Sequence, residues 1–190
     1  MSTPDNFDEE LSASTTGLNL LDKVLIAQAS SGLKKYCLGS DVANFVGGAV
    51  GVVNVPAATT ILAITQALHA GKIVTLSNTA PIAITLPLAT GTGNFYRFQV
   101  QVAATATAST ISRHTTADIM QGFVTALTTA SANVVGYGTT ATANTISLNG
   151  TTLGGVVGDW YELVDIGTGI WMVDANTSPT GTTATPFSHV

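Results

Sequence analysis

Residues 64–100 read ITQALHAGKIVTLSNTAPIAITLPLATGTGNFYRFQV. Within them KIVTLSN (72–78), IAITLP (82–87) and FYRFQVQVA (95–103) each alternate apolar and polar positions, the period of a strand with one face buried. Ile82, Ile84 and Leu86 fall on one face of the second run. Phe98, Val100 and Val102 fall on one face of the third, with Tyr96 at its start. Turn formers separate the runs: QALHAG (66–71) closes on Gly71, and LATGTGN (88–94) carries Gly91 and Gly93. Those glycines admit turn conformations closed to other residues. Pro87 ends its strand because it has no amide to give the ladder.

The same rhythm continues in both directions. ATTILAIT (58–65), STISRH (109–114), ANVVGYG (132–138), NTISLNG (144–150), DWYELVDI (159–166) and GIWMVDA (169–175) read as strands. The last two join at Gly167, Thr168 and Gly169, a hairpin signal. ADIMQGFVTAL (117–127) fits a helix or a strand equally. Short strands between Gly, Asn and Thr turns predict an all-β domain over residues 57–175, an antiparallel β-sandwich of jelly-roll type. Phe98, Trp160, Tyr161 and Trp171 are the large side chains expected to fill its core, with Pro87 as a scaffold residue. No period of about 20–50 residues repeats, so neither solenoid nor propeller is expected.

Four further segments complete the chain. Residues 1–17 read as a flexible acidic arm. Residues 18–48 read as a small module: a hairpin of KVLIAQ (23–28) and LKKYCL (33–38), then a short helix from Ser40 or Asp41. Residues 49–56 form a Gly-rich linker whose Val52, Val53 and Val55 could add a short strand. Residues 176–190, NTSPTGTTATPFSHV, form a charge-free tail expected to drape over a neighbour or hang loose.

Charge is scarce. Only 9% of residues are Asp, Glu, Lys or Arg, against about 25% in ordinary soluble chains. Residues 1–46 hold six acids and three bases, leaving five acids and three bases for the remaining 144 residues. A surface this poor in charge predicts burial between chains. The net charge of −5 and the lack of any basic run exclude a nucleic-acid footprint. Cys37 is the one cysteine, so no internal disulfide or cysteine metal cage is expected. The acidic start MSTPDNFDEE does not read as a signal peptide. The apolar stretch 42–71 is broken by Asn, Gly, Pro and Gln, so no membrane span is expected.

Residues capable of chemistry do not assemble into a catalytic, metal or cofactor set. Ser112, His114 and Asp118 are close in sequence, but triad members normally come from separate elements. His69, His114 and His189 stand alone and read as loop or surface histidines. Asp159 and Asp165 share strand parity while Glu162 faces the other way, and the three read as residues that flank or solvate the last hairpin. Gly91, Thr92 and Gly93 lack the Lys-Ser/Thr and helix of a phosphate loop.

Gly71–Lys72, Leu76–Ser77, Thr85–Leu86–Pro87, Gly91–Thr92–Gly93 and Tyr96–Arg97–Phe98 occur in an order that resembles tailed-phage virion proteins of the capsid decoration (cement) or head-fibre type. GDWYELVDIGTGIWMV (158–173) resembles their closing hairpin, and residues 18–46 resemble the hairpin-and-helix module that opens such appendages. The resemblance implies a homotrimer that binds the major capsid protein, is made in the host cytoplasm and ends on the capsid surface of the virion. The arm and hairpin are then the expected attachment element, through Asp8, Glu9, Glu10, Lys34 and Lys35. The alternative is a tail or neck appendage, a short fibre contacting the host surface, in which Tyr137 or Tyr161 would stack on a sugar.

Overall fold

The computed structural model describes residues 51–105, 107–128 and 133–190, with the backbone of strands 23–28 and 34–38. The chain divides into two compact units, residues 1–49 and 50–190. In the first, β1 (Lys23–Gln28) and β2 (Lys34–Leu38) pair antiparallel, with an irregularity between Leu25 and Ala27. The acidic arm and the helix expected after Ser40 lie outside the described residues.

The second unit is built from β3 (Val52–Val55), β4 (Ile61–Ala63), α1 (Gln66–His69), β5 (Lys72–Leu76), β6 (Ala83–Thr85), β7 (Phe95–Val100), β8 (Ser109–Ser112), β9 (Ile119–Thr128), β10 (Asn133–Gly138), β11 (Thr145–Leu148), β12 (Trp160–Gly167), β13 (Ile170–Thr177) and β14 (Phe187–Ser188). Seven strands form one sheet in the order β10-β9-β13-β12-β7-β5-β3. Five form another in the order β14-β11-β8-β6-β4. Among its described residues the unit is all-β apart from one turn of helix, and residues of both sheets share one buried core.

The sheets are mixed, not antiparallel as the sequence suggests. From β3 to β8 the chain steps between the sheets at every strand. β3, β5 and β7 therefore stack parallel in one sheet, and β4, β6 and β8 stack parallel in the other. A parallel pair needs a crossover, and here each crossover is a strand of the opposite sheet. This is a coil of three turns, which the sequence conceals. Equivalent positions in one sheet are Val52, Ile73 and Arg97, and in the other Ile61, Ala83 and Thr110. Their spacing drifts from 21 to 27 residues, so no fixed period appears. Turn residues mark where a strand ends but not whether the next one returns in the same sheet.

After β8 the pairing changes character. β9 runs parallel to β13, and β10 folds back on β9. The ambiguous segment 117–127 is thus mostly strand. Gly122 shows why its sequence is unusual: its φ is +145°, and a Cβ there would lie 1.9 Å from the Val173 carbonyl oxygen. The last hairpin, β12–β13, forms as expected.

Strand parity sorts the side chains. In β7, Tyr96, Phe98 and Val100 point inward while Phe95, Arg97 and Gln99 are part-exposed. Val102, expected to follow them inward, lies beyond the strand and is exposed. In the five-stranded sheet Leu62, Ile84, Ile111, Ile146 and Phe187 align in one inner row. Trp171 is fully buried and meets Tyr96 edge-on at 5.7 Å. Pro87 is half-buried just beyond β6, and the final ladder bond there is donated by Leu86 to the Ser112 carbonyl.

The short strand that Val52, Val53 and Val55 could add does form: residues 52–55 are the edge strand of the seven-stranded sheet, with Val55 buried. One boundary expectation changes. The tail neither hangs loose nor leaves the unit. β14 pairs with β11, Phe187 is buried, and the Val190 amide donates to Asn144 Oδ1 at 3.1 Å. That docking could not be read from composition, since the tail is rich in turn residues.

Candidate assembly surface

Five of the eight charged side chains beyond residue 46 are occupied by the fold. Asp165 accepts the amides of Gly91 (2.6 Å), Thr90 and Thr92 and the Thr92 hydroxyl (2.8 Å). Burial alone would raise its pKa, but these donors outweigh burial and hold the carboxyl below its ordinary value. Asp159 accepts the amides of Gly155 (2.8 Å) and Val156 (3.0 Å) and both the amide and hydroxyl of Ser178. Asp118 is buried and accepts the Thr115 hydroxyl. Lys72 donates to the Leu68 carbonyl, and Arg113 to those of Thr116 and Val190.

The suspected chemical sets dissolve accordingly. Asp159 and Asp165 flank the last hairpin, one at each end of β12, and do so as buried loop anchors and not as solvating groups. At about 3.3 Å per residue they stand roughly 20 Å apart, far beyond the ~5–10 Å of a glycosidase pair. No hydrogen bond joins Ser112, His114 and Asp118 among the described residues. His69 is buried, contrary to expectation, and its Nδ1 accepts the Thr65 amide at 3.0 Å. His114 and His189 are exposed. No group of three metal-ligating side chains occurs among the described residues, and no described helix is long and apolar enough to cross a membrane. A cavity of about 20 Å³ beside Asn78, Ile82 and Val100 has room for about one water.

The remaining three charges lie side by side. Register places Arg97 of β7 opposite Glu162 of β12, and Glu162 opposite Asp174 of β13. The next row is Gln99, Trp160 and Asn176. All six sit on the outer face of the seven-stranded sheet, away from the core. The Arg97 guanidinium stacks over the Trp160 ring at 4.3 Å. Trp160, expected in the core with Trp171, is therefore an outward side chain; the parity of β12 gives the inner position to Tyr161. Arg97, Glu162, Asp174 and Asn176 make no side-chain hydrogen bond or ion pair among the described residues. Gln99, by contrast, donates to the Gly158 carbonyl.

Large apolar side chains surround this polar block. Val52 and Ile73 continue its first row to one sheet edge, and Phe123 continues it to the other side. Phe95, Val164 and Met172 form the row beneath. Leu127 and Val134 pair on the last hairpin of the sheet. Val52, Phe123 and Val134 are 57%, 54% and 67% exposed. No described residue covers this face. Large apolar side chains left in water over such a breadth mark an interaction surface, and Trp, Arg, Met and Phe are the residue types enriched in such contacts.

Tyr161 is fully buried and Tyr137 packs against the core, so neither is presented as a stacking platform. Lys34 and Lys35 lie in β2, opposite Gln28 and Ala27. Asp8, Glu9 and Glu10 fall outside the described residues. The outer block escaped sequence reading because its members come from three separate strands. The one available signal was parity: Trp160, Glu162 and Val164 alternate with Tyr161, Leu163 and Asp165.

Compared with protein-family models, with curated proteins and with solved structures, the chain matches none.

Proposed function

We propose that this chain is a non-enzymatic structural protein of a tailed-phage particle, a decoration protein that binds the assembled capsid. It would stabilise the shell by mass action, because it binds the closed lattice and not free coat protein. The observation that carries the reading is the outer face of the seven-stranded sheet, which no described residue covers. A catalyst gathers unspent polar groups in a cleft. Here Asp159 and Asp165 are consumed by loops, the buried polar atoms without a partner (Asn78 Oδ1, Asp118 Oδ2, Tyr161 OH and Trp171 Nε1) are scattered over separate elements, and the charged side chains with no hydrogen bond, Arg97, Glu162 and Asp174, lie on a broad apolar face.

The particle is supplied by the sequence resemblance of residues 64–100 and 158–173. In this reading residues 1–48 attach to the major capsid protein, through Asp8, Glu9, Glu10, Lys34 and Lys35. The sandwich-like unit self-associates and projects outward. The chain is made in the host cytoplasm and resides on the capsid surface.

The test is a heating experiment on capsids that lack the chain. Adding the purified protein should raise the temperature of DNA release, saturating near stoichiometric occupancy. A chain beginning at residue 50 should fail to bind. Failure of the full chain to bind capsids at all would overturn the proposal.

A further inference from the structure

We propose that the outer face of the seven-stranded sheet is the contact between copies of this chain, with Arg97 of one copy seated against Glu162 and Asp174 of the next. This rests on the assembly reading above, though not on which particle the assembly serves.

Charge is the first reason. Glu162 and Asp174 are like charges directly opposite each other across a ladder, an arrangement that costs stability. Arg97 stands next to them in register yet is held on Trp160 instead, with its donors unspent. The row therefore carries a pair of like charges at one end and, at the other, a cation without a hydrogen-bonded partner. Such a row is complementary to a copy of itself. A two-fold axis running along the strands between β7 and β12 places each Arg97 over Glu162 of the other copy, with Asp174 one strand further and within reach of the same guanidinium. The stack on Trp160 fixes the guanidinium in advance, so less freedom is lost on contact.

Area is the second reason. Seven strands at about 4.8 Å spacing span roughly 29 Å, and the central strands of six to eight residues are roughly 20–26 Å long. The footprint is roughly 580–750 Å², close to the about 800 Å² per partner of a stable protein contact. A saccharide stacking on Trp160 fits less well, because Arg97 already lies over that ring.

The test uses the full chain and measures native mass by light scattering. The wild type should weigh a multiple of 19.3 kDa. R97E makes the row wholly acidic, and the double variant E162K/D174K makes it wholly basic. Each alone should dissociate at concentrations at least ten times higher than the wild type does. An equimolar mixture of the two should re-form the oligomer, which also shows that both are folded. A wild type at 19.3 kDa overturns the proposal, as does a mass indifferent to both variants. So does a mixture of folded variants that stays dissociated, or a monomer whose Trp160 binds a saccharide. Capsid binding is scored separately: an oligomer that ignores capsids refutes only the decoration reading, and a monomer that coats them refutes only this contact.

Discussion

Gly91 donates its amide to Asp165 at 2.6 Å across seventy-four positions of sequence. With the Thr90 and Thr92 amides, that bond folds the 88–94 loop onto the end of β12. Gly91 holds φ at +81° there, and a Cβ would crowd Gly167 at 3.3 Å. Asp165→Asn keeps the shape but removes the charge and turns one acceptor into a donor. It should cost about 2–3 kcal/mol in chemical denaturation.

The same carboxyl gives the unit an acid limb. Its pKa is held below the ordinary 3.8 by the loop amides and the Thr92 hydroxyl, against the opposing effect of burial. Folding therefore favours the ionised form. That stabilisation is fully present above the unfolded value and is lost as pH falls through the folded one. Stability measured from about pH 6 to pH 2 should fall for the wild type, with a shallower fall in Asp165→Asn.

Gly122 and Gly136 separate backbone necessity from coincidence. Gly122→Ala would drive a Cβ into the Val173 carbonyl and should cost at least about 3 kcal/mol. Gly136 has no atom within 4 Å of a Cβ position, so Gly136→Ala should stay within about 0.5 kcal/mol. Thermal unfolding of both variants checks the contrast.

The two tryptophans should report different surroundings. Trp171 is fully buried and Trp160 lies on the outer face. Trp171→Phe should retain most iodide quenching of fluorescence, and Trp160→Phe should lose it. Dilution through the dissociation range should increase quenching in the wild type and in Trp171→Phe.

Phe187 tests the docked tail. It is 9% exposed and packs in the core cluster through β14. Phe187→Ala should cost about 3 kcal/mol. Unchanged stability would mean that the tail contributes nothing to the unit.

The strands were legible in the sequence because parity is local: Tyr96, Phe98 and Val100 alternate with Phe95, Arg97 and Gln99 whichever neighbours the strand acquires. Their pairing was legible only in the hairpins β1–β2 and β12–β13. The coil of β3 to β8 depends on whether each turn reverses the chain or carries it to the other sheet, and Gly, Asn and Thr serve both. The roles of Asp159 and Asp165 were hidden for the same reason, since their partners at Ser178 and Gly91 lie far along the chain. Arg97, Glu162 and Asp174 became a row only once three strands had found their register.

A decoration protein, as proposed for this chain, is present in its particle in many copies. Purified virions should be resolved by quantitative gel densitometry, with this chain measured against the major coat protein. The expected ratio approaches stoichiometric. Complete absence of the chain from virions would contradict it, and a handful of copies would assign it to the tail or neck instead of the capsid surface.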